Sequence, residues 1–320
     1  MSTGSRGNYK MENRREFLKK TSLAGVALSM HSFTTYGNEY VQYDPICYFT
    51  KHLQWLDFED LGIALNEAGF DGADLTVRPG GHIEPEDTAT MLPKAARILQ
   101  NHGISVPMVV TAITGAKEKG IDNLLKALAD NGVKYYRTGY LNYDYSISME
   151  ENIQVFHNIL EAIGEKNAKY SLCGTYQNHA GTRLGGSVWD LWLSLKGLDP
   201  KYIACQFDVR HATYEGGQSW KNDFQCIKDY VRTTVVKDFH WGKNDQGKWT
   251  NINTLMGEGM VDFETYFKLY HEFGIKGPIS NHSEYPLITK EETSLPKVDK
   301  MKIAIGRLRK DVDFTRRYLK

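Results

Sequence analysis

A (β/α)8 barrel is the fold this 320-residue sequence predicts, on three observations. From Tyr43 onward, short apolar runs alternate with longer helical patterns. The helices close on a recurring glycine turn. No glycine-rich phosphate loop follows the first run, where a doubly wound sheet that binds nucleotides often carries one.

The runs read as strands are Ile46–Phe49, Gly72–Thr76, Ser105–Thr111, Lys134–Thr138, Lys169–Thr175, Tyr202–Phe207, Thr233–Lys237 and Gly277–Asn281. Each is short and apolar, as strands covered on both faces are. Helical patterns fall between them at Phe58–Ala68, Pro93–Asn101, Ile121–Asn131, Glu150–Lys166, Trp189–Leu195, Asp223–Tyr230 and Phe263–Phe273. Four of these end alike, in Ala68-Gly69-Phe70, His102-Gly103-Ile104, Asn131-Gly132-Val133 and Phe273-Gly274-Ile275. Glycine takes the left-handed cap, and the apolar residue after it re-enters the core.

Ahead of the barrel, Asn13-Arg14-Arg15-Glu16-Phe17-Leu18-Lys19-Lys20 precedes the mildly apolar Thr21–Met30, a pattern similar to a twin-arginine export signal. The apolar part, about ten residues, is too short to span a bilayer. Residues 1–37 are therefore expected to be leader and 38–320 a single barrel domain, exported to the periplasm without stable membrane insertion. The four cysteines, at 47, 173, 205 and 226, show no C-x-x-C spacing. Neither a disulfide framework nor a zinc ribbon is expected, and Cys47, Cys173 and Cys205 read as buried strand residues.

Lys+Arg and Asp+Glu balance at 39 each, which argues against a surface built for nucleic acid. A small, weakly charged carbohydrate fits better, and a homo-oligomer stays open.

In such barrels the chemistry lies at the C-terminal strand ends. The second run leads to Arg78 and His82, and the fourth to Arg137. Each arginine could hold a substrate oxygen or pair with an acid at the rim. The fifth leads to Gln177-Asn178-His179, and the sixth to Asp208-Val209-Arg210-His211. By itself Asp208 could equally cap a turn or the next helix. The seventh leads to Lys237-Asp238-Phe239-His240-Trp241, where a lysine is costly to bury unless paired or functional. Asp238 reads as its partner or a turn residue, and Trp241 as a sugar platform. The eighth leads to His282-Ser283-Glu284. Carboxylate, imidazole and amide groups from several strand ends around one axis point to a site, with hard oxygen ligands in Asp208 and Glu284.

Phe207-Asp208-Val209-Arg210-His211, Val236-Lys237-Asp238, Gly257-Glu258-Gly259-Met260-Val261-Asp262-Phe263 and His282-Ser283-Glu284 resemble the xylose-isomerase-like barrels, a family of sugar isomerases, epimerases and metal-dependent endonucleases. The resemblance covers nearly all the chain after the leader. It implies one divalent ion (manganese, magnesium, cobalt or zinc) held by Glu, Asp, His and Glu from the fifth to eighth strands, with the two glutamates as acid and base. Carried onto this sequence, the metal ligands are Gln177, Asp208 and Glu284, with His240 or His179 supplying an imidazole. The catalytic set is Glu284, Lys237, His211 and His179, and the substrate-binding set is Arg78, Arg137 and Trp241.

Two positions depart from the pattern, Gln177 for a glutamate and Val235 for a histidine. A glutamine cannot accept a proton as a base, so one carboxylate base remains. The expected activity is metal-assisted proton abstraction next to a carbonyl of an unphosphorylated sugar or keto-sugar. It ends in isomerisation or epimerisation, or in a lyase or hydratase step on a 3-keto-glycoside. A carbohydrate-binding barrel without catalysis is the third reading.

Overall fold

The computed structural model describes residues 44–320, so the expected leader over 1–37 lies outside the described residues. In chain order the strands are β1 (Ile46–Phe49), β2 (Gly72–Thr76), β3 (Ser105–Val110), β4 (Tyr135–Arg137), β5 (Cys173–Gln177), β6 (Ile203–Asp208), β7 (Val231–Val236), β8 (Asp238–Lys243), β9 (Trp249–Thr254) and β10 (Ile279–Asn281). Eight of them close into a barrel in the order β1-β10-β7-β6-β5-β4-β3-β2, every pair parallel. All eight expected strands are present.

Helices α1 (Phe58–Ala68), α2 (Thr88–Asn101), α3 (Ile121–Asp130), α4 (Met149–Ala168), α5 (Val188–Leu195), α6 (Val209–Gly216), α7 (Trp220–Ile227), α8 (Phe263–Glu272) and α9 (Lys297–Arg316) accompany them. The local chemistry sets their ends. Asp57 caps α1, accepting from the Asp60 N–H at 3.0 Å, and Gly69 closes it at φ 101°. Ser148 and Glu151 form a capping box at α4. The strands are covered on both faces, and every residue of β2 and β6 is buried. Cys47, Cys173 and Cys205 are buried in strands, and all four cysteines are free. Among the described residues no helix is long and apolar enough to cross a membrane.

The structure adds to the sequence reading, and departs from it, at several places. Strand β5 starts at Cys173 rather than Lys169 because α4 runs on to Ala168 and Ser171 turns at φ 56°. That shift puts Gln177 inside the strand. The segment after Lys237 forms an antiparallel hairpin, β8 against β9, to which the sequence reading assigns no element. Helix α6 leaves directly from Asp208, whose side chain caps it by accepting from the His211 N–H at 3.0 Å. Helix α9 buries Ala304, Ile305, Leu308, Asp311, Val312 and Thr315, a helical spacing that places one face against the barrel.

Candidate active site

Five strand ends meet at one cluster. Asp208 ends β6 with its side chain fully buried. Its Oδ2 accepts from the Gln177 amide at 2.7 Å and lies 3.1 Å from the Lys237 Nζ. Lys237 follows β7, is 2% exposed, and also reaches Glu284 Oε1 at 3.5 Å and His211 Nε2 at 2.9 Å. Gln177 turns its carbonyl oxygen the other way, accepting from Arg137 Nη1 at 2.9 Å and the Tyr140 hydroxyl at 2.7 Å. The amide orientation is fixed by chemistry, since a guanidinium only donates. A continuous polar chain thus runs from Arg137 through Gln177, Asp208 and Lys237 to Glu284.

The charges follow from burial and neighbours. Burial pushes the Glu284 carboxyl up, but Lys237, Lys51 and His52 outweigh it and hold it down to about 2. Glu284 is a carboxylate with a quarter of its side chain exposed, against none for Asp208. Burial and then the Lys237 charge hold His211 well below the ordinary histidine value. Its two nitrogens face Lys237 and, at 3.2 Å, Arg210 Nη1. Two cationic donors on one ring disfavour a third positive charge, and the neutral ring accepts from one of them at a time. Burial first, then Lys237, also lowers His179. That ring sits 3.9 Å from His211, and its Nδ1 meets the Ala180 carbonyl at 2.8 Å. Since a carbonyl only accepts, Nδ1 carries the proton and Nε2 is free to accept one.

Arg78 and Arg137 converge on the Phe49 ring, at 5.6 and 5.4 Å from its centroid. Arg137 also lies 5.3 Å from the Tyr140 centroid, and its Nε is buried without a partner. Trp241 is 40% exposed on β8 and packs on Tyr214 at 4.7 Å.

His240 is not brought to Asp208. It alternates with Phe239 and Trp241 along β8 and pairs with Ile252, whereas the other hairpin face carries Asn253, which accepts from Arg210 Nη2 at 3.0 Å. Asp238 is not the partner of Lys237. Its carboxylate accepts from the backbone N–H of Phe239, Gly257, Gly259 and Val261, shaping the Gly-Glu-Gly loop. A Cβ on Gly259 would strike that carboxylate. His82 is tied to Thr76 and Thr50 at 2.9 and 3.2 Å, and burial pushes it down to about 4.

Residues missed in the sequence complete the site. Lys51 and His52 lie 4.0 and 3.9 Å from Glu284. His282, neutral in its burial beside Lys237 and Arg137, stacks on Phe49 at 4.4 Å. Asp311 of α9 accepts from the hydroxyls of Ser283 and Tyr285 at 3.0 and 2.6 Å and from the Met256 N–H at 3.1 Å. Both neighbours of Glu284 are therefore tethered to one buried carboxylate, which presents Glu284 toward the barrel mouth. Two of the residues not assigned a role from the sequence did leave a signal there, His282 within the His282-Ser283-Glu284 strand end and Tyr140 three residues past Arg137.

Residues 63–310 match the model of the xylose isomerase-like TIM barrel family, and the chain belongs to that family. No curated protein matches it. Among solved structures it is similar to D-psicose 3-epimerase with D-tagatose from Clostridium cellulolyticum H10, at 13% identity and TM-score 0.61, over 86% of this chain and 99% of that one. It is similar to 3-keto-D-glucoside 4-epimerase from E. coli, at 12% identity and TM-score 0.56, over 83% and 98%. A third is the IOLI protein with a binding zinc atom, at 14% identity and TM-score 0.64, over 86% and 98%. At these identities the likeness is one of fold.

The IOLI structure holds a zinc atom, but the ligand set that the family resemblance implies for this chain does not fit a divalent ion. Lys237 lies between Asp208 and Glu284. The Gln177 carbonyl is taken by two donors, and its amide nitrogen faces Asp208. Val235, fully buried beside Asp208 in register, offers no donor. Among the described residues no three His, Cys, Asp or Glu side chains form a group able to hold an ion.

Proposed function

We propose that this barrel is a sugar isomerase/epimerase-type enzyme that removes a proton from the carbon next to a carbonyl of an unphosphorylated sugar or keto-sugar. The observation that carries the reading is Glu284, a carboxylate reachable from the mouth, tethered on both sides and facing an ammonium 3.5 Å away. Glu284 takes the proton. The C–H electrons move into the carbonyl to give an enediolate, and Lys237 and Arg137 stabilise its oxygen by hydrogen bonding. At about 2 the resting carboxyl is a weak base. A substrate oxygen that draws Lys237 toward itself removes the strongest depressing charge and raises the basicity of Glu284 as the complex forms. His179 Nε2 is placed to accept a substrate hydroxyl.

The activities named for two of the similar structures support this class. A ketose 3-epimerase and a 3-keto-glucoside 4-epimerase both work at a carbon beside the carbonyl. Gln177 favours a one-base outcome, either isomerisation or loss of a β-leaving group in a lyase or hydratase step, over epimerisation between two carboxylates. The proposed setting is the periplasm, reached by the twin-arginine route that Arg14 and Arg15 suggest.

Proton NMR in heavy water with ketoses and 3-keto-glucosides tests the reading. Exchange of a proton next to the carbonyl is expected, and Glu284→Gln should slow it by about a thousandfold. Wild-type exchange rates in that variant would remove Glu284 as the base.

A further inference from the structure

We infer that the Lys237 ammonium, lying between Asp208 and Glu284, stands in as the site's cation for the divalent ion that the family resemblance implies, so that this chain retains no metal there. The inference deepens the proposed function by naming its electrophile, although its binding test does not depend on any substrate.

Two carboxylates that would grip an ion, Asp208 and Glu284, both already face one Nζ, at 3.1 and 3.5 Å. A cation entering between them would have to displace a buried, like-charged group. Elsewhere in the set, every change runs in the direction a metal would not need. Gln177 supplies a donor to Asp208 where an ion would want a second anion. Its oxygen, the one atom able to ligate, is held by Arg137 and Tyr140. Val235 fills its place with a buried isopropyl group, and His240 sits on the far face of the hairpin. These features are mutually consistent. With an ammonium as the cation, one neutral amide linking Arg137 to Asp208 satisfies both, whereas a glutamate at 177 would oppose Asp208 directly. The ammonium also brings what an ion lacks, hydrogen-bond donors that can follow a developing oxyanion.

The experiment is metal analysis and calorimetric titration of the folded full chain with Zn2+, Mn2+ and Mg2+ after chelator dialysis, run on the wild type, Asp208→Asn and Lys237→Met. The wild type should show no saturable binding that Asp208→Asn removes. Lys237→Met, which takes the ammonium from between the two carboxylates, should gain such binding, at least about a hundredfold tighter than wild type, from loss of a like charge in a low-dielectric site. One ion per wild-type chain, lost in Asp208→Asn, overturns the inference. A folded Lys237→Met that gains nothing also overturns it, because the ammonium is then not what stands in for the ion. If Lys237→Met does not fold, the wild type and Asp208→Asn decide. Failure of proton exchange with every sugar, with these binding results intact, would instead count against the proposed function alone.

Discussion

Replacing Lys237 by methionine keeps the aliphatic stem and removes one buried charge, so its cost measures the ion-pair cluster directly. Lys237 and Asp208 are 2% and 0% exposed, and their 3.1 Å contact is shielded from water. Breaking a buried pair by deleting one partner costs about 3–5 kcal/mol, because the other charge is left uncompensated. Glu284 gives this cost a pH signature. Its folded pKa of about 2 lies below the ordinary 4.5, so its carboxylate stabilises the fold above 4.5 and that contribution is lost as pH falls through about 2. The full shift corresponds to about 3 kcal/mol at about 1.4 kcal/mol per pKa unit, and Lys237 is the strongest of the charges behind it. Without Lys237 the Glu284 carboxyl rises toward its ordinary value and most of that contribution is absent at every pH. Urea denaturation should therefore show a wild-type advantage of about 3–5 kcal/mol at neutral pH, narrowing by about 1 kcal/mol or more as pH falls toward about 3. An advantage below about 1 kcal/mol, or one equal at both pH values, would refute the buried ion-pair reading.

Two other substitutions probe the supports of the site. Asp311→Ala strands the hydroxyls of Ser283 and Tyr285 and the Met256 N–H; kcat for the proton exchange should fall at least about tenfold with KM little changed, since the base is released rather than removed. Unchanged kcat in a folded variant would detach Asp311 from Glu284. The same carboxyl is raised by burial to about 6, so its favourable protonated form is lost as pH rises through that value. Asp311→Asn, neutral throughout, should gain on the wild type by about 1 kcal/mol between pH 5 and 8 in denaturant melts, and a difference independent of pH would contradict that burial effect. Gln177→Glu replaces the N–H that Asp208 accepts at 2.7 Å with an anionic oxygen. It should lower stability at neutral pH by about 1–3 kcal/mol in the same assay, and a neutral effect would mean the amide orientation is not what joins the two strands.

The barrel was legible because its signals are local. Each apolar run is bounded by its own turn, and Gly69, Gly103 and Gly274 close helices at positive φ where the sequence placed them. Asp208, His211, Lys237 and Glu284 were legible for the same reason, as polar residues directly after buried runs. What escaped depends on partners far along the chain or on side-chain direction. The tether of Ser283 to Asp311 spans 28 residues, and nothing near Glu284 announces it. His240 stands three residues after Lys237, yet hairpin alternation sends it to the opposite face. The hairpin did leave a signal, with Trp241-Gly242-Lys243 and Lys248-Trp249-Thr250 flanking a polar turn closed by Gly247, at a position where barrel strands commonly pass into loops. The direction of the Gln177 amide could not be read at all, because it is set by Arg137 and Tyr140 on another strand end.

That amide accounts for the departure from the family pattern at position 177. Position 177 must satisfy a buried guanidinium on one side and the Asp208 carboxylate on the other. A glutamate serves the first and repels the second unless a strong cation lies between the two acids. Once Lys237 is the cation, it spans Asp208 and Glu284 and leaves the 177 side of Asp208 without a positive partner. An amide is the side chain that presents an acceptor to Arg137 and a donor to Asp208 at any pH. The mouth then holds Lys237, Arg137, Arg210 and Arg78 against Asp208, Glu284 and Asp74, with burial pushing Asp74 up to about 6 despite Ser280, Arg137 and Arg78. The neighbouring histidines 179, 211 and 282 are all held below their ordinary range. Near neutral pH the surplus is positive and built from fixed donors rather than titrating rings. For chemistry that sends a C–H electron pair onto an oxygen, that surplus is in place before the charge develops.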